Sequence, residues 1–452
     1  MRSQRPALPQ ASRKRRGLLR QFSSRFSWLC LFLTLSLPAG ARVTIEHWVA
    51  QSGARVYFAE NRALPIVDVA VEFSAGSAYD PRERAGLGRL TLAMLKAGSS
   101  RYSETEAGRR IADAGGELRN NFDVDRAGFS LRVLSSETER KKATETLADM
   151  LQSPRFPNEA FEREKARAVV NAREAETQPD RVAEKRLYAL IYPAHPYGVS
   201  ASPETLAAIT RDDVERHYRV HYGSERAVVT IVGDLQHDAA RALAEELTSR
   251  LARGGDSALA PVAPSPRGET VRIAHPSVQS HVLLGLAALS HGDPDYFPLL
   301  VGNHILGGGG FVSRLTKEVR SRHGYAYSVY SYFRPLGREG PFLVGLQTRR
   351  DQAGEALELV RNVVADFVAR GPTTAELSAA RKSMVGGFPL RIDTNRKVLD
   401  QTASIGFYKL PLDWLDQYPI HIQSVTLTQV RDAFTRRVDP AKLSIVVVGA
   451  AD

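Results

Sequence analysis

The chain has 452 residues, 43% hydrophobic and 25% charged, which excludes collagen-like, disulfide-scaffold and largely disordered classes and is too long for one small core. A formal charge of +11 suggests an acidic partner only until its placement is counted: residues 1–41 hold eight Lys or Arg and no Asp or Glu, and the remainder carries 53 basic against 50 acidic residues. The excess belongs to the leader, and no nucleic-acid partner is expected for the folded part.

That leader reads as a secretory signal. An Arg-rich start (Arg13, Lys14, Arg15, Arg16, Arg20, Arg25) precedes an apolar run from Trp28 to Leu37, then Pro38 and Ala39-Gly40-Ala41, an A-x-A cleavage site. The run is well short of the roughly twenty residues that a membrane span needs. Cleavage after Ala41, a periplasmic location and no membrane span in the mature chain are expected. Cys30, the only cysteine, lies inside the run, so the mature chain has no thiol chemistry, disulfide or cysteine-ligated zinc.

Strand and helix patterns then alternate. Val67, Val69, Val71 and Phe73 form a period-two array that predicts a strand over 66–73. A helix is expected over 84–95, and Ser103 with Glu106 forms a capping box ahead of another that ends near Gly115-Gly116. Strands follow at 117–122 and 126–134, helices at 137–152 and 158–176, the second stopped by Pro179, then a helix over 211–221 and an apolar strand over 227–232. Residues 252–267, rich in Gly, Ala and Pro, read as a linker. Beyond it come a strand at 282–286, a helix at 296–306, strands at 325–333 and 340–347, a helix at 352–370 and a capping box, Thr373 with Glu376.

The scheme repeats. Ile209-Thr210-Arg211-Asp212-Asp213-Val214, a helix and Val228 to Gly233 match Val425-Thr426-Leu427-Thr428-Gln429-Val430, a helix and Ser444 to Gly449, with the two glycines 216 positions apart. So long a period means duplicated domains, because solenoid units run to roughly 20–50 residues. The expected fold is α+β, in two homologous domains over 42–251 and 268–452, each a mainly antiparallel sheet with helices packed on one face.

The segment Gly86-Leu87-Gly88-Arg89-Leu90-Thr91-Leu92-Ala93-Met94-Leu95 resembles the zinc helix of the pitrilysin and insulinase peptidases, whose H-x-x-E-H motif sets two imidazoles and a general-base carboxylate on one helix. The resemblance spans roughly residues 43–450. It takes in Gly116-Glu117-Leu118, the run from Ala148 to Phe156 and His195-Pro196-Tyr197-Gly198 in the first half, and Ile305-Leu306-Gly307-Gly308-Gly309-Gly310 in the second. Its most specific block runs from Arg320 through Gly324 and Ala326 to Tyr327, which is similar to the family's R-x-x-x-G-x-A-Y signature. Laid on the zinc motif, however, the two histidine positions hold Arg89 and Ala93, and the glutamate position holds Leu92. None of these side chains can offer a lone pair to a cation. The family's third ligand falls near Val170 or Asn171, with Glu174 close by.

The resemblance therefore implies a chain with no metal of its own. It implies Arg320 as a binder of substrate carbonyls and Tyr327 as a donor to the oxyanion, both reaching the zinc site of a homologous catalytic subunit in a heterodimer that holds extended peptides. It also implies that Gly307, Gly308, Gly309 and Gly310 line the substrate, although consecutive glycines can equally be a helix stop. A purely structural member and a peptide-binding module are the other readings. His217 and His221, at i and i+4 with Glu215 nearby, have the spacing that a zinc pair needs, although no acid sits between them as a general base.

Overall fold

The period-two array does form a strand. The computed structural model describes residues 43–255, 258–264 and 268–449, and in it Val67, Val69, Val71 and Phe73 all enter one core. The expected signal segment lies outside the described residues. The first half begins with β1 (Glu46–Val49), β2 (Arg55–Glu60), β3 (Ile66–Phe73), α1 (Leu87–Met94) and α2 (Glu104–Asp113). It continues with β4 (Glu117–Phe122), β5 (Ala127–Leu134), α3 (Glu137–Gln152), α4 (Asn158–Ala175) and α5 (Pro179–Ile191). It closes with α6 (Pro203–Ala207), α7 (Arg211–His221), β6 (Ala227–Gly233) and α8 (His237–Thr248). The second half has β7 (Thr270–Ile273), β8 (Gln279–Leu289), α9 (Tyr296–Asn303), β9 (Ser328–Phe333) and β10 (Gly340–Arg349). Then come α10 (Ala353–Arg370), α11 (Thr374–Gly387), α12 (Asn395–Tyr408), α13 (Trp414–Ser424), α14 (Leu427–Arg437) and β11 (Ser444–Val448).

The strand orders are β1-β2-β6-β3-β5-β4 and β7-β11-β8-β10-β9. Each sheet has one parallel pair, β2 with β6 and β7 with β11, and is otherwise antiparallel. Register aligns the central apolar residues: Val69 faces Ile231 and Leu131, and Leu284 faces Ile445 and Val344. Helices α3, α4, α5 and α7 recur as α10, α11, α12 and α14, each beginning 216 residues later. The sequence repeat is thus a repeat of architecture, α+β in both halves.

One face of each sheet is covered by helices of its own half. The other face is covered by a helix from the opposite half. Helix α5 lays Leu187 and Ile191 against Val446, Val448 and Leu343 of the second sheet. Its repeat, α12, lays Val398 and Leu399 against Ala59, Ala70 and Val232 of the first. Each fully buried Leu, Ile or Val in these seams stabilises the union by roughly 1.5–3 kcal/mol. Polar bonds add register: Arg55 donates to the Gly406 carbonyl at 2.7 Å and Asn61 to Asn395 at 2.8 Å. Residues 258–264 are fastened as well, since the Ala260 carbonyl hydrogen-bonds His195 Nε2 at 3.0 Å and the Leu259 carbonyl accepts from Arg338.

Three local expectations shift. Pro179 ends α4 and also opens α5 as its first residue, where the missing N–H costs nothing. Helix α1 begins at Leu87 instead of 84, because Gly86 turns the chain at φ +103°. The strand expected from Tyr325 begins at Ser328, because the chain first closes a π-helical stretch over Thr316–Arg322, with Tyr325 N–H bonding the Val319 carbonyl.

Candidate functional site

Helix α1 forms one wall of a cleft of about 1180 Å³, with α4, α5 and β4 as the others and Arg334 and Ile273 entering from the second half. The helix is positioned by Asp80, whose carboxylate accepts from the N–H groups of Gly86 at 2.8 Å and Gly88 at 2.7 Å, two donors with no partner inside the helix. Burial pushes the Asp80 carboxyl up to about 7, against the pull of those N–H groups.

Of the three degenerate motif positions, Arg89 and Ala93 line the cleft. Leu92 does not, being 1% exposed and packed into the core of the first half. The Arg89 guanidinium lies 4.4 Å from the Phe122 ring centre. Asn171 lines the cleft, whereas Val170 is 60% exposed elsewhere on α4. The likeness to a zinc helix is therefore one of sequence frame, with only two of the three positions facing the cleft. Among the described residues no group of three His, Cys, Asp or Glu side chains could hold a metal ion.

The second-half residues gather at another place. Ile305, Leu306 and Gly307 are buried in a π-helical turn over His304–Gly308. A Cβ on Gly307 would lie 2.4 Å from Ser331 Oγ, on Gly308 2.6 Å from Asn303 Nδ2, and on Gly309 2.5 Å from the His304 carbonyl, so packing alone demands these three glycines. Gly310 differs: it has φ +62° and open space where a side chain would be. It leads into Phe311 and Val312, both exposed. Arg320 stands between two rings, 5.1 Å from the centre of Phe311 and 5.1 Å from that of Tyr327. Tyr327 is 77% exposed. Arg322 pairs with Glu318 at 2.8 Å, while among the described residues Arg320 has no ion pair. Half-buried Arg320 and exposed Tyr327 and Phe311 thus form one cluster, and none of them lines the cleft at α1.

His217 and His221 face inward from α7, with ring centres 4.4 Å apart and Tyr79 5.3 Å from His221. Burial, with His221 a lesser cause, drives His217 down to about 3; burial and the Arg226 charge bring His221 down to about 4. They are neutral core histidines without a third ligand among the described residues. Because the folded pKa lies below the unfolded value of 6.5, their contribution is complete above pH 6.5 and is lost as pH falls towards 4 and 3. Asp80, with its raised carboxyl, acts in the opposite sense in the same window. The readout is therefore a difference: between pH 6 and 5 the parent should lose about 1.4 kcal/mol per pH unit more than His217→Leu in urea titrations. Equal slopes would show that His217 titrates normally in the fold.

One residue escapes any motif-based reading. Asp125, 2% exposed in the turn between β4 and β5, accepts from Tyr197 Oη at 2.7 Å, Gly337 N–H at 2.8 Å and Tyr408 Oη at 2.9 Å. Two of those donors belong to the second half. Only Tyr197, inside the His-Pro-Tyr-Gly segment, carried a sequence signal.

Two family models match the chain: the insulinase peptidase family M16 over residues 55–202, and the peptidase M16 inactive domain over residues 208–384. The chain belongs to peptidase family M16. A crystal structure of a peptidase M16 inactive domain from Pseudomonas fluorescens superposes with a TM-score of 0.87 at 31% identity, covering 91% of this chain and 98% of that one. The Helicobacter pylori protein named non-peptidase homolog YmxG is 24% identical over 426 residues, 93% of this chain and 97% of its own. The Bacillus subtilis protein named uncharacterized zinc protease YmxG is 25% identical over 357 residues, 78% and 86% respectively. The M16 fold implies zinc at α1, and the donor set here does not fit it. Arg89 is a cation, Leu92 and Ala93 are hydrocarbon, and neither Val170 nor Asn171, near which the third ligand falls, carries a charged oxygen. This chain is an M16 member without a zinc centre. Among its described residues no helix is long and apolar enough to cross a membrane.

Proposed function

We propose that this chain is the zinc-free subunit of a two-chain M16 peptidase in the periplasm, exported by its N-terminal segment and paired with a homologous chain that keeps the zinc helix. It closes half of a chamber for extended peptides and presents Arg320 and Tyr327 to the partner's zinc site, with the glycine run ending at Gly310 on the same rim. The observation that carries this reading is the half-buried Arg320 guanidinium, set against the exposed rings of Phe311 and Tyr327 and in no ion pair among the described residues. A cation stacked in this way is pre-oriented for an oxygen supplied from outside. Its separation from the cleft at α1 favours action on another chain over action on its own.

The test is to isolate the protein from its native compartment with whatever accompanies it and to measure metal in each subunit. One zinc per heterodimer, all of it in the partner, and peptidase activity that rises on mixing the purified chains are expected. Stoichiometric zinc in the isolated chain, or proteolysis by it unaided, would sink the reading.

A further inference from the structure

The cleft at α1 carries no set of metal ligands among the described residues, and its charges do not balance locally. Six carboxylates stand on its walls, and each is already engaged. Asp80 holds two backbone N–H groups, Asp123 holds Arg126 at 3.0 Å, and the four glutamates pair with arginine or lysine at 2.7, 3.2, 3.5 and 3.7 Å. Among the described residues, Arg89, Lys96, Arg186 and Arg334, which also line it, have no ion pair. Arg89 is singled out among these by its ring contact, its guanidinium carbon lying over Phe122 at 4.4 Å from the ring centre. Arg89 is exposed to the cleft; partial desolvation lowers its pKa and the Asp80 carboxylate, which is not within ion-pair distance, raises it.

The shape of the site narrows the ligand. About 1180 Å³ exceeds what most small ligands fill. Strand β4 is the last of its sheet, so one row of its N–H and C=O groups has no strand partner, and Asn120 and Phe122 of that strand line the cleft. An extended chain can add to such an edge. We propose that the cleft binds an extended peptide by its carboxylate, which the Arg89 guanidinium takes at the place where zinc-bearing relatives hold the metal. A guanidinium offers a carboxylate two parallel N–H donors, the strongest neutralisation a side chain can give it. The Asn171 amide, also lining the cleft, is a further donor. The metal's work of polarising a carbonyl is gone, and anchorage of a peptide end or an acidic side chain replaces it.

This inference deepens the reading of the chain as half of a peptide-handling chamber. It is tested on the purified full chain without a partner, so its failure leaves the zinc measurement to decide the pairing. Three fluorescein-labelled octapeptides of one sequence serve as probes: a free acid, a C-terminal amide, and an amide with a penultimate Glu. Fluorescence anisotropy should show the free acid binding roughly tenfold or more tightly than the plain amide. Tight binding of the Glu-bearing amide assigns the carboxylate to a side chain, and weak binding assigns it to the chain terminus; either upholds the site. Arg89→Gln should abolish the preference and Arg89→Lys should keep part of it. Ala93→Asp, which leaves Arg89 in place but gives it an internal carboxylate one helical turn away, should abolish it too. Equal binding of all three probes by the parent, no binding of any probe, or a preference that survives in Arg89→Gln overturns the proposal.

Discussion

Replacing Asp125 with alanine should cost about 3–5 kcal/mol of stability, the largest loss expected from any single polar side chain in this molecule. The carboxylate is the common acceptor for Tyr197, Tyr408 and the Gly337 N–H, and the Tyr197 hydroxyl in turn accepts from the Arg338 N–H at 3.0 Å. Alanine would strand three donors where water cannot replace the lost acceptor. Burial, and to a lesser extent the Asp123 charge, raises the Asp125 pKa on balance, and the three donors offset part of that rise. Asparagine is the informative partner variant. Its amide has one acceptor oxygen for three donors and turns its own N–H groups on one of them, so it should lie between parent and alanine. Urea denaturation gives the number. A double-mutant cycle with Tyr408→Phe gives the coupling, because Tyr408 crosses from the second half and stacks on His291 at 3.7 Å. A loss below about 1 kcal/mol for Asp125→Ala would mean that the turn relaxes and rehydrates instead of holding the two halves together.

What the sequence made legible was local or periodic. The β3 alternation, both capping boxes and the 216-residue repeat each depend on residues adjacent in the chain or on a comparison of the chain with itself, and each reappears in the structure. The loss of the zinc set was legible too, because ligand chemistry is a property of residue type. What was hidden depends on tertiary exchange. No local pattern announces that α5 leaves its own half to cover the second sheet while α12 returns the exchange. Pro179, a stop by propensity, is compatible with a helix start for the same reason that it ends the previous helix: it lacks an N–H. The Leu92 position shows a subtler limit. Its residue type excluded catalysis, but only packing reveals that the side chain has joined the core, so restoring a carboxylate there would bury a charge. Asp125 carried no signal at all, since its three partners are 72, 212 and 283 residues away.

In the proposed two-chain peptidase, Tyr327→Phe should lower kcat by about a hundredfold or more, with KM little changed. The phenol would donate to the carbonyl oxygen only as that oxygen gains charge, so its removal is felt in the transition state and not in ground-state binding. Arg320→Ala should act differently, raising KM as well as lowering kcat, because a guanidinium that grips substrate carbonyls contributes before the chemical step. Tyr327→Phe should change folding by no more than about 0.5 kcal/mol, since Tyr327 is largely solvent-exposed, and Arg320→Ala by about 1–2 kcal/mol, since Arg320 is half-buried against two ring faces. Assembly can be checked independently by size-exclusion chromatography of each variant with the zinc-bearing chain. If pairing is intact and both variants match the parent in kcat and KM, the rim around Tyr327 does no chemistry, and the chain contributes only architecture. If pairing itself fails in Arg320→Ala but not in Tyr327→Phe, the guanidinium serves the interface, and the stacked geometry with Phe311 has to be read as a docking surface. Intact pairing with a kcat loss confined to Tyr327→Phe would instead assign the phenol to oxyanion stabilisation and leave Arg320 outside the reaction. The two substitutions together therefore separate substrate grip, oxyanion stabilisation and subunit contact, which one residue cluster of this size could otherwise combine.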